Sequence, residues 1–255
     1  MSDKSFNIGG STFGFSGVGV DELGASEYTV VGIAVDVSPS VAHFRAEIEA
    51  CLKQTVESCR SSKRADNLLL RTIMFDGRVR EQHGFKELHT CNPSDYDGSV
   101  RISGHSTALF DAAFSLIGSV DEYARQELIP EDYDANGIVF VITDGEDNVS
   151  SMSAHAVGTR ADEARGKMGG RAAEEGLESL ITILIGVNIQ DTYVSAALKK
   201  FETDGSFDHY IEMDKADAKS LAKLADFISQ SISSQSSALG TGGPSKTIDP
   251  SSLAI

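Results

Sequence analysis

Apolar and polar residues fall in blocks along this chain. Val30-Val31-Gly32-Ile33-Ala34-Val35 is an unbroken apolar run that ends at Asp36 and two alternating hydroxyls, Ser38 and Ser40. The run is too short for a helix and has no polar face. It predicts a strand over Tyr28–Val35 covered on both sides, as in the middle of a parallel sheet. Val41, Phe44, Ile48, Leu52 and Val56 then recur at helical spacing, which predicts an amphipathic helix over Val41–Arg60. The same alternation repeats downstream. Asn67–Phe75, Ile138–Thr143, Ser179–Val187 and Phe207–Met213 read as strands; Ala108–Val120, Thr159–Gly176, Asp191–Glu202 and Lys215–Ile232 read as helices. Asp76-Gly77 is a hairpin signal, so Arg78–His83 returns antiparallel, and its Arg, Glu and Gln content suits an edge. Asn92–Gly104 reads as a polar loop and Arg125–Asn136 as loop or broken helix. The predicted fold is α/β in three layers: a doubly wound, mostly parallel six-stranded sheet with one antiparallel edge strand and helices on both faces.

The two ends lack this patterning. Residues 1–26 carry six glycines among scattered Ser and Phe, and are expected to form a flexible Gly-rich arm. Residues 233–255 are rich in Ser, Gly and Pro, and are expected to be a disordered tail. That leaves one domain over 27–232, in keeping with a length of 255 residues. Gly17-x-Gly19 does not continue into a dinucleotide fingerprint.

Charge and cysteine usage narrow the function classes. A formal net charge of −16 disfavours nucleic acid and anionic membrane surfaces as partners. No run of about 20 apolar residues exists, so no membrane span is expected. Met1–Phe6 lacks a charged-then-apolar leader, and the three cysteines show no C-x-x-C spacing. Both features point to a reducing, cytoplasmic location and away from zinc.

The chemistry collects at strand ends. Asp36, Ser38 and Ser40 lie on a turn from a strand into a helix, where open α/β sheets bind ligands. Asp144 ends the strand Ile138–Thr143, and Thr107 opens the helix Ala108–Val120. If the two strands are parallel neighbours, Asp36 and Asp144 sit about 5 Å apart. Two carboxylates and three hydroxyls form an all-oxygen set that suits Mg2+ or Mn2+. The plainer reading is that Ser38 or Ser40 caps the following helix. Asp132-x-Asp134-x-Asn136-Gly137 matches half a calcium loop, but Thr143 stands where the closing glutamate belongs, so it reads as a turn. Glu146 and Asp147 read as a solvated loop. No G-x-x-x-x-G-K-[ST] or G-x-S-x-G is present.

Taken in order, Asp36-x-Ser38-x-Ser40, the Ser106–Ala112 loop and helix, and the acidic strand end Val139–Asn148 resemble the metal-ion-dependent adhesion site of the von Willebrand factor type A domain. The likeness spans roughly residues 27–232. It implies that Ser38 and Ser40 bind the metal directly, and that Thr107 does so in the ligand-competent state. Asp36 and Asp144 would act through waters, and an Asp or Glu of a protein partner would complete the shell. His105 and Gly145 flank the set. His105 is bulky where the family often has a small residue, and reads either as narrowing the site or as a solvent-facing loop histidine. The resemblance implies a metal-dependent protein-binding module, not an enzyme, serving as an adaptor or assembly factor whose partner is an ATPase or assembly component. Two other readings stand beside it: a Mg2+-dependent phosphatase or hydrolase, which lacks an evident base or nucleophile at these positions, and a self-assembling structural component.

Overall fold

A computed structural model describes residues 3–102, 104–167 and 176–241. Among these, the strands are β1 (Lys4–Asn7), β2 (Gly14–Gly17), β3 (Glu27–Asp36), β4 (Leu68–Phe75), β5 (Val79–Glu87), β6 (Asp134–Thr143), β7 (Leu180–Gly186) and β8 (His209–Glu212). They form one eight-stranded sheet in the order β1-β2-β5-β4-β3-β6-β7-β8. The apolar runs that predicted buried strands supply its centre: β3 pairs in parallel with β4 on one side and β6 on the other. β5 returns antiparallel to β4 through the Asp76-Gly77 turn.

Helices cover both faces. α1 (Arg45–Arg60) and α5 (Ala218–Leu239) pack on one side; α2 (Leu109–Tyr123), α3 (Ala154–Ala164) and α4 (Thr192–Asp204) pack on the other. Alternate residues of β3 supply the two cores, with Val31, Ile33 and Val35 facing α1 and α5, and Val30 and Ala34 facing α2. Cys51, Cys59 and Cys91 are free thiols buried on the α1 side, where burial pushes each up to about 12. No described helix is long and apolar enough to cross a membrane.

The sheet has two strands more than the six expected, and both come from the segment expected to be a flexible arm. Phe6, Ile8, Phe15 and Val18 are buried against α2 and β5. The Phe6 and Phe15 rings stack at 4.9 Å, and the Tyr123 hydroxyl donates to the Val18 carbonyl at 2.9 Å. These apolar residues are too few and too widely spaced to show a period. They order the segment because they form a hairpin over one aromatic patch.

α5 also runs past Ile232, where the helix was expected to give way to a tail. Ser231, Gln235 and Ser236 are polar yet almost fully buried. Asn136 Nδ2 donates to the Gln235 carbonyl at 3.0 Å, Gln235 Nε2 donates to Ser179 Oγ at 3.1 Å, and Arg64 Nε donates to Ser236 Oγ at 3.2 Å. Hydrogen bonds to other elements, rather than apolar spacing, hold this last stretch. Positions 242–255 of the tail expected over 233–255, and positions 168–175 of the helix expected over Thr159–Gly176, lie outside the described residues. α3 itself starts earlier, at Ala154, because the Ser153 side chain caps it by accepting from Ala156 N at 3.2 Å. α1 starts later, at Arg45. Pro39–His43 form a 3₁₀ turn, and Phe44, at φ −132° and ψ 23°, interrupts the helix.

Candidate metal centre

β3 and β6 run in parallel register with Val35 opposite Ile142, so their carboxyl ends stop side by side. Asp36 is 1% exposed at the end of β3. One carboxylate oxygen accepts from the Ser38 amide at 2.8 Å, which closes the turn, and the other accepts from Thr143 Oγ1 on β6 at 2.7 Å. Ser40 Oγ donates to Asp144 Oδ1 at 2.7 Å and lies 3.0 Å from Ser38 Oγ. Asp36, Ser38, Ser40 and Asp144 therefore form one hydrogen-bonded set across two strand ends. Neither serine caps the turn that follows through its side chain: Ser38 stands at that position without a capping bond.

Electrostatics mark the set as short of positive charge. Burial raises the Asp36 carboxyl to about 6 against the lowering effect of its hydrogen bonds from Ser38 and Thr143. Burial also raises Asp144, against its bond from Ser40. The hydrogen bonds and ion pairs of these two carboxylates among the described residues include no Lys or Arg partner. Two neighbouring carboxylates, lined by hydroxyl oxygens and lacking a cationic side chain, fit a hard divalent cation by donor chemistry and by charge.

Thr107 reaches the same edge by a different route. Ala108 N donates to the Asp76 carbonyl beyond β4 at 2.6 Å, and Thr107 N donates to Asn148 Oδ1 beyond β6 at 2.9 Å. The Asn148 amide in turn donates to the Thr107 carbonyl at 3.1 Å. Since β3 lies between β4 and β6, these bonds stretch the Thr107 loop over the carboxyl end of β3. Gly104, at φ +75°, makes the bend possible; a Cβ there would lie 3.1 Å from the Asp76 carboxylate. Thr107 is 6% exposed and makes no hydrogen bond to Asp36, Ser38, Ser40 or Asp144 among the described residues. His105 is exposed, on the loop rather than in the hydrogen-bonded set. Gly145 N donates to Thr143 Oγ1 at 3.2 Å.

Several residues that shape this edge carry no motif of their own in the sequence. Thr143 bridges the two strand ends. Asn148 positions Thr107. Asp147, whose polar loop pattern predicts a solvated side chain, accepts instead from the Phe110 amide at 3.2 Å at the start of α2. Asp111 reciprocates, accepting from Met152 N at 2.8 Å and Ser151 N at 3.2 Å. Asp147-Asn148-x-Ser150 does carry turn-forming side chains. Asp147 and Ser150 also bond each other locally, but the partners that these three residues hold on α2 and the Thr107 loop lie 37 to 41 positions away, beyond the reach of any local pattern.

No protein-family model and no curated protein matches the sequence. Solved structures do match. The PilB minor pilin from Streptococcus sanguinis aligns at 12% identity and a TM-score of 0.57, over 88% of this chain and 65% of that one. The open conformation of the pilus adhesin SpaC from Lactobacillus rhamnosus GG aligns at 11% identity and 0.56, over 83% of this chain and 31% of the adhesin. Proximal thread matrix protein 1 from the mussel byssus aligns at 18% identity and 0.50, over 82% of this chain and 47% of that one. The chain thus spans under half the length of the last two. At these identities the likeness is one of fold.

Proposed function

We propose that this chain, which has the fold of the von Willebrand factor type A domain that those structures share, is a metal-dependent protein-binding module. In this reading Ser38, Ser40 and Thr107 hold Mg2+ or Mn2+ directly, and Asp36 and Asp144 stand behind water. One position is left for an Asp or Glu of a protein partner. The observation that carries the reading is the hydrogen-bonded set of Asp36, Ser38, Ser40 and Asp144, whose carboxylates, Asp36 buried and Asp144 half-buried, lack a cationic partner among the described residues. A bound metal would supply the positive charge that an incoming carboxylate needs. Neutral hydroxyl ligands would leave most of that charge available to the carboxylate. The residues gathered here are ligating and orienting groups, so we assign a docking role in assembly or adaptation rather than turnover.

The test is thermal unfolding against Mg2+ and Mn2+. A ligand bound only by the folded state stabilises it by about 2.7 kcal/mol at 100 times its Kd. Millimolar Mg2+ should raise Tm, EDTA should reverse the rise, and Asp36→Ala and Ser40→Ala should each abolish it. A metal-dependent rise that survives in both variants would place the metal elsewhere, and no rise at all would remove the reading.

A further inference from the structure

At the same carboxyl edge, on the other side of the Thr107 loop, the β4–β5 turn and the 97–101 loop enclose a cleft of about 470 Å³. Arg78, Arg80 and Arg101 line it together with Glu81 and Asp97. The two acids are already engaged. Glu81 takes the buried Arg71 at 2.7 Å and the Ser16 hydroxyl at 2.6 Å, and Asp97 is paired with Lys53. Of the three arginines, Arg80 is the one in an ion pair among the described residues, its Nη1 lying 2.9 Å from each Asp76 oxygen. Arg101 uses Nε to hold the Gly98 carbonyl at 3.0 Å, and its two terminal nitrogens make no bond among the described residues. The Arg78 amide is tied to Asp76 Oδ1 at 3.1 Å, which fixes its backbone, while its guanidinium has no hydrogen-bond or ion-pair partner among the described residues. Two exposed guanidinium forks thus face a cleft whose acids each hold a basic partner, Lys53 being shared between Asp97 and Glu49, on a chain of net charge −16.

We infer that this cleft is an anion subsite in which Arg78 and Arg101 receive a carboxylate of an acidic protein segment. A planar guanidinium presents paired donors that match a carboxylate. Cleft and metal set share an edge: Asp76, whose carboxylate anchors the Arg78 backbone, also accepts from Ala108 beside Thr107. One acidic segment can therefore place a first carboxylate at the metal and a second in the cleft; that pairing rests on the metal reading above, whereas the cleft's own affinity does not. An acidic partner approaching so acidic a chain is repelled within the ~8–10 Å over which charges act in physiological salt. The metal and the two open guanidinium groups supply local attraction at the point of contact.

The experiment measures Kd for a fluorescein-labelled hexaglutamate peptide on the full chain, by anisotropy, across a salt series, in Mg2+ and in EDTA. Arg78→Gln/Arg101→Gln should raise Kd by about tenfold or more in Mg2+ and flatten its salt dependence. Lys63→Gln/Lys219→Gln, which changes net charge equally, should leave Kd within about twofold of wild type. The Mg2+-induced rise in Tm should persist in the arginine variant, which shows that the fold and the metal site are intact. If the arginine variant binds hexaglutamate as tightly as wild type with the same salt slope, the subsite is overturned. If EDTA and Ser40→Ala leave peptide affinity unchanged while the arginine variant loses it, the cleft stands and the metal reading fails.

Discussion

Burial holds the Asp36 carboxyl at about 6, although Ser38 and Thr143 both donate to it. The sign of the resulting pH dependence follows directly. The folded carboxyl binds its proton more tightly than the unfolded one, whose value is near 3.8. Below about pH 4 both forms are protonated and burial carries no charge penalty. As pH rises through 4 to 6 the folded protein loses up to about 3 kcal/mol relative to the unfolded chain. In EDTA, wild type should therefore be more stable at pH 5 than at pH 7, and Asp36→Asn should remove most of that difference in paired unfolding titrations. Equal pH dependence in the two proteins would mean that Asp36 is not held in this buried state. The grouping of Asp36, Ser38, Ser40 and Asp144 was legible in the sequence because two apolar runs fix where two strands stop, and the acids and hydroxyls begin there. Thr107 was legible only as a residue opening a helix. Its placement over β3 depends on Asn148 and Asp76, which contact it across the fold.

Elements defined by apolar period were readable; elements held by contact with something distant were not. β3, β4, β6 and β7 each carry a run buried along nearly its whole length. The β1–β2 hairpin has no such run, and its position depends on a gap in another strand. A Cβ on Gly84 of β5 would lie 2.2 Å from the Ser16 backbone carbonyl and 2.1 Å from its hydroxyl. Gly84→Ala should thus force the hairpin off the sheet edge, at about 1–3 kcal/mol by the measure of overpacked sites. Limited proteolysis checks this: cleavage within residues 4–24 should quicken in the variant while the Mg2+-induced rise in Tm remains. The end of α5 makes the converse case. Ending the chain after Ile232 deletes the Gln235 carbonyl and leaves the buried Asn136 amide unpaired, a loss of about 1–3 kcal/mol. Denaturant unfolding of the truncated and full chains should show a lower midpoint for the truncation. An unchanged midpoint would mean that the polar contacts of residues 233–239 are energetically idle.

Across the whole molecule the sheet separates two apolar layers, and the candidate metal set and the arginine cleft occupy a single edge of it. Ion pairs such as Arg160 with Asp121 and Glu122 tie helices on the α2 face, and three thiols lie beneath α1 on the other. Cys51, Cys59 and Cys91 are each at most 3% exposed and raised to about 12, so at neutral pH almost none of each is thiolate, the form that reacts. A disulfide reagent added to the native protein can modify them only when the α1 layer opens. The thiols are thus a built-in clock for that opening. At low denaturant, the labelling rate divided by the rate in unfolded chain gives the fraction of time that the layer stands open. If the layer moves as one body, all three cysteines should label with the same protection, and Mg2+ should slow all three together. A fast Cys91 beside slow Cys51 and Cys59 would instead show that the Leu88–Cys91 segment detaches while α1 stays seated.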